Sequence, residues 1–233
     1  NEVMAATQKP VKWGHERARR PGASVRADGT VDMQYFYTME GRSDVAIVPV
    51  YGVLAKGAGF IQEVCSGMVN HDRIAHAVQQ AVADKDIRSI VLDVASPGGS
   101  VMGTSELATV VRSAAQQKAV YAFTDQLMCS AAVWLGSQAA EVYATPSARI
   151  GSIGTILGIL DESVRMQMQG VALHVFSSGK HKALGSPGRP LSNEDRAYLQ
   201  AIVDKANTAF TGAVKGARHQ VSKEALTDAK VYD

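Results

Sequence analysis

Four short segments carry residue types that could perform acyl-transfer chemistry. The first is Ser96-Pro97-Gly98-Gly99, between an apolar strand pattern and a helical one. Adjacent glycines at a helix start expose backbone N–H groups with no side chain in the way, and the helix dipole adds positive charge. Such a turn can bind an anion or meet the oxyanion of a tetrahedral intermediate, or it can be a tight turn that needs only glycine. No Gly-Lys-Ser/Thr follows, so it is not a nucleotide P-loop. The second is Met128-Cys129-Ser130-Ala131-Ala132, where a serine opens a helix among small neighbours. Ser130 is a candidate nucleophile or a plain N-cap. Cys129 rivals it only if a partner stabilises its thiolate, and is otherwise a buried, inert thiol.

The third segment is Ser178-Gly179-Lys180-His181-Lys182. A serine nucleophile needs a base, and a lysine partly withdrawn from water can serve. The alternative for Lys180 and Lys182 is ordinary loop charge. Of His15, His71, His76, His174, His181 and His219, none has a Ser-His-Asp sequence context. The fourth is Ile150-Gly151-Ser152-Ile153-Gly154. Glycines flanking a serine in a strand indicate close backbone approach, by a neighbouring element or by a bound peptide. Ser152 could also orient a base. The remaining alternative is a bulge or turn.

The order and spacing of these segments are more specific than any one of them. A Gly-Gly turn, a serine at a helix start, Gly-Ser-Ile-Gly, and a Ser-Gly-x-His-Lys segment 52 residues beyond Ser130 resemble the signal peptide peptidase A family of serine peptidases. The resemblance covers about Val45 to Asp233. Within it, Val48-Pro49-Val50-Tyr51-Gly52, the Cys-Ser pair and the lack of an anchor are similar to the tailed-phage prohead (capsid maturation) proteases of the lambda type. The resemblance implies an α/β fold of the ClpP/crotonase kind, a spiral of β-β-α units with a mainly parallel sheet flanked by helices. It implies Ser130 as nucleophile, Lys182 as a general base held neutral by burial, and Ser152 in support of the lysine. The oxyanion hole would come from Gly98 or Gly99 with the Ala131 N–H, and Pro97, Gly151 and Gly154 would line the peptide groove. No cofactor or metal is implied. The partners would be an extended polypeptide substrate, such as a scaffold or capsid protein, and further copies of the chain in a ring whose sites can be built between subunits. The location would be the host cytoplasm or the prohead, or a membrane if an anchor has been removed. Many cellular members have glycine where this chain has Ala131-Ala132-Val133-Trp134, which is expected to alter the pocket and not the dyad. The family also continues beyond Val231-Tyr232-Asp233, so the end of this chain is read as truncated.

Three other readings stay open. One is a cellular enzyme that degrades signal peptides. Another is a crotonase-type acyl-CoA enzyme using carboxylates, for which Glu106 and Asp125 are the nearest candidates. The last is a non-catalytic assembly or scaffold protein.

These residues need elements to hold them. Strands are expected at about 33–38, 45–50, 88–94, 120–123, 141–144 and 171–176, with Gly- and Ile-rich β structure over 150–160. Helices are expected at 71–84, with Asn70 as cap, and at 102–117, 130–140, 161–169 and 193–218, with Ser192 as cap. Alternating strands and helices argue for an α/β domain with a largely parallel sheet. Residues 1–30 read as a basic arm and linker, and 31–233 as the catalytic domain.

With 233 residues, 46% of them hydrophobic but only 6% aromatic, the chain can build one full core, mainly from Ala, Val, Ile, Leu and Met. Two cysteines exclude a disulfide framework, and no Cys/His spacing suits zinc. The longest central stretch without charge, 126–140, is too short and too rich in Ser, Gln and Gly to span a bilayer. A net charge of +2 gives no general argument for nucleic-acid binding. It divides into +4 over residues 1–26 and −2 over the rest, so nucleic acid or an acidic partner is an expectation only for the arm.

Overall fold

In the computed structural model of the protein, residues 23–25, 31–33, 35–39, 41–59 and 65–233 are described. Most of the basic arm lies outside them. Strand β1 (Ala23–Val25) pairs antiparallel with β2 (Val31–Met33), so backbone pairing begins inside the stretch read as arm.

The main sheet has five strands in the order β10-β8-β7-β4-β3: Glu141–Ala144, Ala119–Thr124, Ser89–Ala95, Arg42–Tyr51 and Tyr37–Met39. Only β3 is antiparallel. The expected strand at 33–38 is thus two separate strands, β2 and β3. The four parallel strands stand side by side in chain order. Crossovers of one hand that advance in one direction leave their helices on one face. That face receives α1 (His71–Ala83), α2 (Thr104–Ala115) and α3 (Ala131–Gly136).

The sequence makes this packing cheap. Ile90, Leu92 and Val94 alternate inward along β7. They meet Ile74, Ala77, Val78 and Ala81 of α1, and Leu107, Ala108, Val111 and Ala114 of α2, in one continuous core. Small side chains on the helices let them sit close to a β-branched sheet.

Two smaller sheets complete the frame of the site. β5 (Val53–Ala55) pairs in parallel with β6 (Met68–Asn70). β9 (Leu127–Cys129) pairs with β11 (Arg149–Gly151), which is closed by β12 (Val231–Tyr232). Past β11 come α4 (Ser163–Met168), the long α5 (Asn193–Ala217) and α6 (Lys223–Thr227). α5 begins as the sequence predicts, with a full capping box between Ser192 and Asp195.

The β structure expected over 152–160 and 171–176 does not form. Both stretches are irregular; Ile153 still enters the core, but Ile156 and Phe176 are each 96% exposed, and Met168 between them is 84% exposed. A strand needs a neighbour to satisfy its backbone, and among the described residues no strand pairs with either stretch.

Candidate active site

The site forms where β7 and β9 end. Ser96, fully buried after β7, is the anchor of the glycine turn. Its N–H donates to the Leu127 carbonyl at 2.7 Å, and its own carbonyl accepts from the Cys129 N–H at 3.0 Å. Its hydroxyl donates to the Gly52 carbonyl at 2.7 Å and accepts from the Gly98 N–H at 3.1 Å. The turn then runs beside Leu54, whose N–H donates to the Gly98 carbonyl at 2.8 Å and whose carbonyl accepts from the Ser100 N–H at 2.8 Å. In such a bridge the N–H of the middle residue, Gly99, points away from Leu54.

Neither glycine tolerates a side chain. A Cβ on Gly99 would lie 2.0 Å from the Leu54 carbonyl oxygen. Gly98 has φ +102°, and a Cβ there would lie 2.5 Å from the Ser130 Cβ, 2.8 Å from the Cys129 carbonyl oxygen and 2.9 Å from the Ala131 nitrogen. The glycine turn and the serine are therefore in direct contact. We expect Gly98→Ala to cost roughly 1–3 kcal/mol through overpacking, added to its backbone strain. A thermal melt checks the stability, and the rate at which a fluorophosphonate labels Ser130 checks the site.

Ser130 has φ +52° and ψ −124°, a backbone conformation that a non-glycine residue rarely adopts. Its N–H donates to the Gly151 carbonyl at 2.9 Å, and its carbonyl accepts from the N–H groups of Val133 and Trp134. These bonds hold the strain in place. Its side chain makes no capping hydrogen bond to α3, so the N-cap alternative is not realised. Ser130, Ala131 and Gly99 line one narrow cleft with Val101, Gly154 and Thr155. Among the described residues, neither the Gly99 N–H nor the Ala131 N–H meets an acceptor. Gly98 spends its N–H on Ser96. The geometry thus offers two donors beside a hydroxyl, the layout that stabilises a tetrahedral oxyanion.

Other sequence-derived candidates fall in different places. Pro97 is exposed at the tip of the turn. Cys129 is buried, its Sγ 3.9 Å from the Arg149 carbonyl, and burial raises its pKa, so the thiol form is favoured. Gly151 has φ +143°, and a Cβ there would lie 2.2 Å from the Lys230 carbonyl oxygen. Its close neighbour is therefore the chain's own β12. Ser152, also at positive φ (+55°), donates its N–H to the same carbonyl at 2.6 Å. Glu106 lies on α2, hydrogen-bonded by Ser105, and neither it nor Asp125 lines the cleft. A larger hollow, lined by Arg42, Ser43, Asp44, Asp84 and Arg88, lies by the opposite end of β4 and includes none of the candidate site residues. Among the described residues, no group of three His, Cys, Asp or Glu side chains is arranged to hold a metal.

Lys182 departs from the expectation of a buried base. It sits exposed on a turn, with its N–H donating to the Gly179 carbonyl at 3.1 Å. It does not line the cleft, and its amine has no hydrogen bond or ion pair among the described residues. The loop that carries it packs on irregular backbone and α4 and not on a sheet, with Gly185 beside Ile159 and Gly188 beside Met166 and Leu173. Lys180 pairs with Glu194 on α5.

Two further contributors were not singled out by sequence. Trp134 and Phe210 stack face to face, with centroids 4.9 Å apart and planes within 6°, and both line the cleft. Thr155 donates to the Val203 carbonyl at 3.0 Å, which ties the cleft wall to α5. The available signal was Trp134 four residues after the serine, and Phe210 as the sole phenylalanine of the long amphipathic helix.

Comparison with known proteins bears on this site directly. The profile described as peptidase family S49 matches residues 112–233, over half of the sequence. The chain belongs to peptidase family S49. The S49 match includes Ser130, Ser152 and Lys182, whereas the Ser96–Gly99 turn lies upstream of it. Among curated S49-like relatives, the head-tail preconnector protein GP5 of Enterobacteria phage P21 is 34% identical over 73% of this chain and 34% of its own length. The capsid assembly protease C of Escherichia phage lambda is 32% identical over 88% of this chain and 46% of its own length. The S49 chain described here thus spans between about a third and a half of these relatives. A solved ClpP protease catalytic domain from Plasmodium falciparum aligns with a TM-score of 0.41 and 10% identity, over 80% of this chain and 76% of that one.

Proposed function

We propose that this chain is a serine endopeptidase with Ser130 as nucleophile and Lys182 as general base, acting in phage prohead maturation. The observation that carries the reading is the strained, uncapped Ser130 beside the unpaired N–H groups of Gly99 and Ala131. Family membership and the printed name of the lambda relative support proteolysis and a polypeptide of the capsid or its scaffold as substrate. Among the described residues no helix is long and apolar enough to cross a membrane, which suits action in the host cytoplasm or inside a prohead.

In this mechanism the neutral Lys182 amine takes the Ser130 proton as Oγ attacks the peptide carbonyl carbon. The carbonyl oxygen becomes negative and is met by the two N–H groups. The C–N bond then breaks, and the proton on Lys182 passes to the leaving amine. Water, deprotonated by the same lysine, hydrolyses the acyl ester and frees Ser130. The exposed apolar side chains between Ile156 and Phe176 support assembly of several copies, which would cover them and bring a Lys182 amine to each serine.

A fluorophosphonate probe tests the nucleophile. We expect one adduct per chain, located by peptide mass spectrometry on Ser130, with labelling that accelerates as pH rises. An adduct on Cys129, or none in the assembled protein, would sink the reading.

A further inference from the structure

The Lys182 turn is tied down by a single buried carboxylate. Asp195, in the first turn of α5, has a side chain only 2% exposed. Its Oδ2 accepts from the Ser192 N–H at 3.1 Å, from the Ser192 hydroxyl at 2.8 Å and from Arg189 Nη2 at 2.9 Å. Its Oδ1 faces His181 Nδ1 at 3.6 Å. Capping the helix requires only the Ser192 contacts. The other two reach out of the helix to both ends of the 181–189 loop.

The near end of that loop carries the lysine. His181 lies flat on Tyr198, one helical turn along α5, with ring centroids 4.3 Å apart and planes within 4°. Lys182 is the next residue. The far end is held by Arg189, whose N–H also donates to the Ser186 carbonyl at 2.9 Å. Two donors of this cluster, His181 Nδ1 and Arg189 Nη1, are buried without a hydrogen-bond partner. A shift of under about 1 Å would bring His181 Nδ1 within hydrogen-bonding distance of Asp195. The carboxyl is held down to about 2, first by the Ser192 hydroxyl and further by the Ser192 backbone and Arg189, with burial opposing, so it is charged at working pH. Its charged neighbours along α5 are engaged elsewhere: Glu194 pairs with Lys180, and Arg196 lies near Asp161 and helps to lower its pKa.

We propose that Asp195 is a positioning residue for the general base, setting the Lys182 turn through Arg189 and His181. This rests on the reading of Lys182 as the base. A base must be held within about 0.5 Å of its working place, so an anchor one residue away in sequence acts directly on the rate.

The test uses the purified full chain and the rate of fluorophosphonate labelling of Ser130 as a function of pH. Asp195→Asn and Arg189→Gln are expected to slow labelling at neutral pH by about tenfold or more. They should also flatten the rise of labelling with pH, because a displaced amine takes less part in the proton transfer. Ser192→Ala removes a capping contact but leaves Arg189 on Asp195. It should lower the melting temperature and leave the profile in place. If Asp195→Asn does not fold, Arg189→Gln, which spares the cap, decides the matter. Wild-type profiles in these variants, alongside a Lys182→Ala chain that no longer labels, would overturn the role of Asp195 alone. Wild-type labelling of Lys182→Ala would instead overturn the dyad, and this inference with it.

Discussion

Ser130→Ala is expected to remove peptide cleavage and fluorophosphonate labelling together, a loss of roughly 10⁶-fold in turnover by analogy with other serine nucleophiles. Its folded state should be almost unchanged. The alanine keeps the backbone at φ +52° and ψ −124°, still fixed by the bonds to Gly151, Val133 and Trp134, and no capping bond is lost because none was made. Ser130→Gly separates chemistry from strain. It also deletes the hydroxyl, but glycine adopts positive φ without penalty, so about 1–3 kcal/mol of stored strain is released, partly offset by the entropy of a freer unfolded chain. Inactive Ser130→Gly should therefore melt above inactive Ser130→Ala. Calorimetry of the two side by side checks this, and equal melting temperatures would mean that the strain is no larger than the entropy glycine adds to the unfolded chain.

Lys182→Ala is expected to reduce cleavage by roughly 10⁴-fold, the upper range for loss of a general acid–base group. As Lys182 is exposed and makes no ion pair, the substitution should alter stability by no more than about 0.5 kcal/mol. Activity loss with an unchanged melt is thus the signature of a chemical role. In the wild type, cleavage should rise with pH, because only the neutral amine accepts a proton. Lys182→Ala should lose that slope. Full activity in Lys182→Ala would move the base to Lys180 or to a histidine, and His181, stacked on Tyr198 near Asp195, would be the first to examine.

Much of the molecule could be read from its residues. β4, β7 and β8 announce themselves as β-branched runs, α1 and α2 as apolar stripes that pack with that sheet in one core, and α5 by its capping box and its long amphipathic pattern. The contact between the glycine turn and Ser130 was legible only as order along the chain. Its physical basis, the missing space at Gly98, is a property of three strands meeting and leaves no local pattern. β5, β6 and β9 went unnoticed because each is three residues long, too short for a period to show. The stretches at 152–160 and 171–176 have strand composition and no strand, since composition reports what a segment can pair with and not whether a neighbour is present. The same holds for Lys182: the residue type and spacing of the proposed base are in the sequence, but its exposure, with no partner for its amine among the described residues, is not.

The packing of Gly98 against Ser130 has a consequence for how the proposed activity would be lost. Under that mechanism the part that attacks and the part that steadies the charge occupy each other's clearance. A single methyl group on Gly98 would already overlap the Ser130 side chain and the Ala131 nitrogen. Unless a change is confined to the Ser130 hydroxyl, partial damage is therefore not expected to yield a chain that attacks but does not stabilise, or the reverse. Heat, denaturant or a misplaced methyl group should extinguish both capacities in one step, and a population at half activity should be half dead molecules and half intact ones.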